Sequence, residues 1–112
     1  MRWNKGRSAT MARMTDDSAV VDERSASRFA IEIDGYVAEL VYGRKGDHLT
    51  LVHTEVPEEL GGRGLGGKLV RAAVDVAEIE GLTLIPRCEF ARGWLEGHPD
   101  VASRVNIEWP PQ

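Results

Sequence analysis

A cluster of glycines at residues 61–68, which read GGRGLGGK, constrains the fold of this chain more than any other feature. The cluster lies between a strand-like run that ends at Pro57 and an apolar run with helical spacing. Glycines at this point allow a sharp turn and a close approach of another group to the backbone. A helix start also offers unpaired N–H donors and the positive end of the macrodipole. We therefore interpret the cluster as a cradle for a pyrophosphate group.

Before the glycine cluster, the apolar spacing predicts three antiparallel strands. Apolar residues alternate with polar or small ones over 28–33, as in a half-buried strand. A second strand is predicted over 36–42 and a third over 48–56, with a turn over 43–47 between them. The dipeptide Asp34-Gly35 is typical of a two-residue hairpin loop. These elements make an antiparallel meander.

After the cluster, the apolar period changes from two to that of a helix. Residues 65–79 predict a helix of about four turns, which Gly81 ends. A short buried strand follows over 82–85, and because a helix crosses over to it, we expect it to lie parallel to the third strand. Short helices are predicted over 89–96 and from 99 to about 105.

Length and composition describe one globular domain. The chain has 112 residues, enough for a single domain. Residues 1–27 are polar and mixed in charge, so we expect them to be disordered and residues 28–112 to form the domain. The single cysteine, Cys88, excludes an internal disulfide. The sequence shows no secretory signal and no long apolar run. Together with the single cysteine, this predicts a cytoplasmic protein.

Charge and histidine placement argue against several partners. The formal charge of -4 argues against a general nucleic-acid binder. One cysteine and three scattered histidines lack the spacing of metal ligands, so no metal is expected. The histidines are His48, His53 and His98.

Two familiar phosphate motifs come close to this cluster but fail. Residues 62–68 satisfy G-x-x-x-x-G-K, but Leu69 follows where a P-loop needs Ser or Thr to hold Mg²⁺. A dinucleotide fingerprint also fails: residues 62–67 do read G-x-G-x-x-G, but the chain opens with antiparallel strands and not with the β-α-β unit that this fingerprint requires.

The order of elements resembles the GNAT acetyltransferase superfamily. The superfamily's loop pattern, Gln/Arg-x-x-Gly-x-Gly/Ala, reads here as GGRGLG over 61–66. The runs HTEVP at 53–57 and PRC at 86–88 add a likeness to the compact, single-domain GNAT-like subfamily. The resemblance covers about 29–105. It implies an α/β (α+β) fold, in which an antiparallel meander in a mixed sheet is followed by a β-α-β cofactor unit and short C-terminal helices.

The resemblance further implies acetyl-CoA as cosubstrate, with its pyrophosphate on the glycine loop. Backbone groups near Glu55 and Val56 would pair with the pantetheine amides, between strands that splay apart. Gly61 departs from the pattern, because the family usually carries Arg or Gln there. The implied loop residues are Gly61, Gly62, Arg63, Gly64, Leu65, Gly66, Gly67 and Lys68.

Acetyl transfer to a primary amine needs a route for the amine proton and a proton donor for the departing thiolate. Many GNAT enzymes supply the donor from a tyrosine, but this chain has Phe90 in that neighbourhood. Cys88, next to Arg87, is the nearest candidate, as a nucleophile or thiol donor or as a packing residue. His53 is a candidate general base, although alternation places it on the face of Leu51, which favours a structural histidine over a catalytic one.

Three functions therefore stay open on the sequence. The first is an acetyl-CoA-dependent N-acetyltransferase that acts on a small amine or a protein lysine. The second is a non-catalytic acyl-CoA-binding or regulatory module, favoured by the missing tyrosine and by Gly61. The third is a nucleotide binder of P-loop type, which Leu69 disfavours. The oligomeric state stays open.

Overall fold

A computed structural model describes residues 19–111 of the chain, which form a five-stranded sheet in the order β1-β2-β3-β4-β5. The strands are β1 Val21–Glu23, β2 Arg28–Ile33, β3 Tyr36–Lys45, β4 His48–Glu55 and β5 Thr83–Pro86, and the α-helices are α1 Leu65–Glu80, α2 Glu89–Glu96 and α3 Pro99–Ala102. The helices contact one another and enclose the core against one face of the sheet. This mixed architecture confirms the predicted fold class.

The β2–β3 hairpin follows from two residues. Asp34 and Gly35 both adopt positive φ, at 53° and 83°, as a type I′ turn requires. The next connection is tighter than expected, because β3 continues to Lys45 and only Gly46 and Asp47 form the loop. The predicted turn over 43–47 is therefore wrong at its first three residues.

The ordered fold begins before Arg28. β1 pairs antiparallel with β2, and the Tyr42 hydroxyl donates to Asp22 Oδ1 at 2.6 Å. An ion pair of 2.6 Å joins Arg24 to Glu80 at the end of α1. The expectation of disorder is thus wrong for residues 21–27, while residues 1–18 lie outside the described part of the chain.

The predicted β-α-β unit is confirmed. β5 pairs parallel with β4, from His48↔Thr83 to Leu51↔Pro86, and α1 is the crossover between them. Gly81 ends α1 with φ at 68°, and its N–H donates to the carbonyl of Ala77. Seven residues on one side of α1 are buried against the sheet and α2: Leu65, Gly66, Leu69, Val70, Ala73, Val74 and Ala77.

A β-bulge in β4 changes which side chains face the core. Val41 pairs with His53 but Tyr42 pairs with Leu51, so Val52 is an extra residue without a partner in this register. Beyond the bulge, Thr54 pairs with the fully buried Leu40 and shares its face. His53 therefore lies on the opposite face from Leu51, and its predicted place on the core side is wrong.

The C-terminal part departs from the prediction in two ways. α3 ends at Ala102, so the predicted helix to 105 is too long. Ile107 then forms a parallel bridge with Leu84, which adds a short pairing beside β5 that the sequence did not suggest. Within residues 19–111, no helix combines the length and apolarity needed to cross a bilayer.

Candidate active site

The N-terminus of α1 has no side-chain cap. Its N-cap is Gly64, and the first helical hydrogen bond runs from the Lys68 N–H to the Gly64 carbonyl at 3.2 Å. Helix geometry leaves the N–H groups of Leu65, Gly66 and Gly67 without an acceptor in the preceding turn. The positive end of the helix dipole thus coincides with unpaired donors, an arrangement that suits an anion.

Two glycines of the loop are required by the backbone and leave open space. Gly62 and Gly64 adopt φ of 78° and 72°, in the left-handed region that favours glycine. A Cβ built at either position would meet no other group within 4 Å. The loop therefore leaves room for a bulky anion directly before the helix, so the residues present fit a phosphate group.

Two further glycines serve the packing of α1 against α2. A Cβ at Gly66 would lie 2.6 Å from Phe90 Cζ, and a Cβ at Gly67 would lie 2.6 Å from Trp94 Nε1. Phe90 and Trp94 project from one side of α2 onto the first turn of α1. From the sequence, Gly66 and Gly67 were interpreted only as part of the phosphate cradle. The structure shows that they also leave the space that α2 needs to pack against α1.

Loop and helices together form a cleft of about 440 Å³. It opens at the N-terminus of α1, and the half-exposed ring of Phe90 forms part of its wall. The expected residues 61–67 line it together, and so does Val56, directly after β4. Lys68 is half-buried in the first turn of α1 and does not line the cleft. The remaining lining residues are Pro57, Glu58, Leu60 and Trp94.

β4 and β5 part next to this cleft. The N–H groups of Arg87 and Cys88 both donate to the carbonyl of Leu51, at 3.0 and 2.9 Å, and the strand pairing ends there. The chain then enters α2, while β4 continues to Glu55 with no strand on its β5 side among the described residues. This unpaired strand end borders the cleft through Val56.

Cys88 and Thr54 meet where the two strands separate. Cys88 is the N-cap of α2 and is 7% exposed, and its Sγ lies 3.1 Å from Thr54 Oγ1. Cys88 lies two positions before Phe90, and Thr54 lies two positions before Val56. Phe90 and Val56 both line the cleft. Neither Cys88 nor Thr54 lines the cleft itself, but the thiol contacts a hydroxyl that can donate to it or accept from it.

His53 and Glu55 lie on the other face of β4. Their side chains are 59% and 66% exposed, with His53 Nε2 placed 3.4 Å from Glu55 Oε1. The structure therefore does not bring His53 into contact with Cys88. It does place the two candidates on opposite sides of the strand end that borders the cleft.

Sequence reasoning missed Thr54 and Leu60 as parts of this site. Thr54 reaches the helix side only because the bulge at Val52 shifts the alternation, and no residue type in β4 signals that shift. Leu60 is buried, and the sequence did carry a signal for this. It is the single apolar residue between Pro57 and the glycines. Among residues 19–111, no group of three or more His, Cys, Asp or Glu side chains is suited to hold a metal ion.

Comparison with known proteins identifies the family. The sequence model of the GCN5-related N-acetyltransferase family matches residues 28–105. The chain therefore belongs to this family and is an acyltransferase of the N-acetyltransferase class. Among curated proteins, none matches the chain at a significant level.

Solved structures give the same assignment. One match is the NMR solution structure of a GCN5-like candidate N-acetyltransferase from Staphylococcus aureus. The two sequences are 26% identical, the match covers 88% of this chain and 95% of the other, and the TM-score is 0.65.

Proposed function

We propose that this protein transfers the acetyl group of acetyl-CoA to a primary amine, on a small molecule or on a protein lysine. The observation that carries the proposal is the uncapped N-terminus of α1, which opens into a cleft beside the unpaired end of β4. A pyrophosphate needs the unpaired donors of the helix, and an extended amide-bearing arm needs the free strand edge. A reducing cytoplasm, which supplies acetyl-CoA, suits the free thiol of Cys88.

The pyrophosphate would bind through the backbone. The N–H groups of Leu65, Gly66 and Gly67 face it at the positive end of the helix dipole. Arg63 also lines the cleft and is exposed, so its guanidinium adds a positive charge at the loop. Because the donors are main-chain groups, binding does not depend on a side chain at Gly61.

The chemistry would take place where β4 and β5 part. The amine nitrogen attacks the thioester carbonyl, a C–N bond forms, the C–S bond breaks, and the CoA sulfur leaves as a thiolate. The amine loses one proton and the thiolate takes one, so the reaction balances without a further reagent. In this proposal the Cys88 thiol donates its proton to the leaving sulfur and regains one from solvent. Its contact with Thr54 supports this role, because the contact holds the orientation of the thiol.

An amine would approach from the open face of β4. His53 and Glu55 lie on that face. The Glu55 carboxylate suits the binding of a cationic amine, and the His53 imidazole suits its deprotonation. The thiol and the base would then act from opposite sides of the strand end.

One observation favours a protein that binds acyl-CoA without efficient transfer. Phe90 has no hydroxyl to offer, and the Tyr42 hydroxyl is bound to Asp22 of β1, at the edge of the sheet opposite to β5. This second candidate predicts acetyl-CoA binding with no acetylated product.

The test is acetyl transfer from acetyl-CoA to a panel of primary amines and lysine peptides, followed by mass spectrometry. We expect acetylated amine with the wild-type protein. Cys88→Ala should lower kcat by about a hundredfold or more, in the range of a lost acid–base group. It should change acetyl-CoA affinity little, because the cradle belongs to α1. Equal losses in kcat and affinity would show that Cys88 only packs.

A further inference from the structure

The last residues of the chain form a tail outside the region that the family matches. The match ends at residue 105, and residues 106–111 then run beside β5. The Leu84 N–H donates to the Asn106 carbonyl and the Glu108 N–H donates to the Leu84 carbonyl, each at 2.9 Å. These bonds direct the tail toward α2.

Arg92 joins the tail to α2. Its Nη1 donates to the carbonyl of Pro110, and its guanidinium carbon lies 5.7 Å from the centroid of the Trp109 ring. Its Nε lies 3.5 Å from Glu96 Oε2, one turn further along α2, in a charge contact without a hydrogen bond. The Arg92 side chain is 21% exposed, so most of it is enclosed by these contacts.

The tail and the glycines of α1 hold α2 from different sides. Phe90 and Trp94 pack on Gly66 and Gly67, while Arg92 points away from them toward the tail. The Arg92 N–H also donates to the Cys88 carbonyl at 3.0 Å, so the residue that the tail holds is bonded to the N-cap of the helix. Loss of the tail would free one side of the turn that carries Cys88.

We propose that Arg92 is a positioning residue, which fastens Trp109 and Pro110 to α2 and thereby holds the Cys88 thiol against Thr54. The consequence for catalysis rests on the proposed function of Cys88. The mechanical part of the proposal, that the tail keeps this thiol enclosed, does not depend on acetyl transfer.

The experiment uses Cys88 as its own probe. Because the chain has one cysteine, alkylation by iodoacetamide reports on this position alone. We expect Arg92→Ala and a chain that ends at Glu108 to be alkylated about tenfold faster than the wild type, because local opening of α2 exposes the thiol. Arg92→Lys, which keeps a charged donor for the Pro110 carbonyl, should be intermediate.

Arg104→Ala is the matched control. Arg104 also fastens a C-terminal segment, through Asp75 and Glu78 of α1, but does not contact α2 by these bonds. It should leave the alkylation rate near the wild-type value. Equal rates in Arg92→Ala and Arg104→Ala would overturn the proposal, whether both rise or neither does.

A second measurement separates this proposal from the proposed function. In an active enzyme, Arg92→Ala should lower kcat while the KM for acetyl-CoA stays near the wild-type value, with partial rescue by Arg92→Lys. Faster alkylation with unchanged kcat would overturn the role of Cys88 in transfer. Unchanged alkylation in an active enzyme would overturn the positioning role of Arg92.

Discussion

Neighbouring glycines in the loop before α1 have different physical reasons to be glycine. Gly62 and Gly64 are needed for their positive φ and face open space, whereas Gly66 and Gly67 are needed because α2 leaves no room for a side chain. From the sequence, the cluster predicted a close approach to the backbone. The side chains that approach Gly66 and Gly67 could not be predicted, because Phe90 and Trp94 lie more than twenty positions further along the chain.

The bulge at Val52 shows how a single residue limits the prediction of side-chain orientation from the sequence. The alternation of β4 is regular, so it placed His53 beside Leu51 on the core face. One extra residue reverses that assignment for His53, Thr54 and Glu55 together. The candidate site therefore gained Thr54 and lost the core position of His53 through a feature that residue types do not encode.

The Tyr42 hydroxyl makes the unfolding free energy depend on pH in the alkaline range. Burial and the hydrogen bond to Asp22 raise the pKa of Tyr42 from 10.0 to about 12. Because the folded state holds this proton more tightly, the stabilisation is fully present below pH 10.0 and is lost as pH rises toward about 12. We expect the difference in unfolding free energy between wild type and Tyr42→Phe to shrink over that range.

Urea unfolding at about pH 9 and about pH 11 measures this difference. Comparison with Tyr42→Phe removes the effect of other groups that titrate at alkaline pH, since both proteins share them. A difference that is the same at both pH values would contradict the assigned contribution of the Tyr42 hydroxyl.

At the scale of elements, the contact between α1 and α2 links the glycine loop to Cys88. Gly67 lies under the Trp94 ring, which is stacked on His98 with centroids 3.8 Å apart and lies 5.5 Å from the guanidinium of Arg71. These neighbours leave the ring little freedom to move away. The helices themselves were predictable from their periodicity, but this contact was not, because it depends on which faces meet.

Gly67→Ala tests that contact. An alanine in the helix gains about 1 kcal/mol over glycine in propensity, but overpacking against the ring costs about 1–3 kcal/mol. We expect Gly67→Ala to destabilise the wild type and to stabilise a Trp94→Leu background. Chemical denaturation of the four proteins in a double-mutant cycle gives the coupling. The same effect of Gly67→Ala in both backgrounds would contradict this account.

For the whole molecule, the change of apolar period from two to 3.6 and back was enough to predict the meander, the crossover helix and the parallel strand. β1 was missed because residues 21–27 contain one large apolar side chain among Ser, Asp, Glu and Arg. Its pairing with β2 is local, but the side-chain contacts that hold it are long-range, from Asp22 to Tyr42 and from Arg24 to Glu80. Contacts between distant residues of this kind leave no local signal.

Truncation tests the contribution of β1. We expect a chain that begins at Arg28 to melt at least about 5 °C below a chain that begins at Ala19, since it loses a strand, a partly buried hydrogen bond and ion pairs. The chain from Ala19 is the control, because it keeps every described residue before Arg28. Equal melting temperatures in thermal unfolding followed by circular dichroism would show that β1 adds nothing to the fold.

The central claim is that the N-terminus of α1 holds the phosphates of acetyl-CoA, and a calorimetric titration tests it most directly. Acetyl-CoA should bind the wild type saturably, and ATP with Mg²⁺, the control ligand, should not. Gly64→Glu and Gly64→Gln share the same size and the same backbone cost at positive φ, and differ only in charge. The carboxylate should weaken acetyl-CoA binding by about tenfold or more relative to the amide, through repulsion at the phosphate position. No binding by the wild type, or equal affinities of the two variants, would contradict the account.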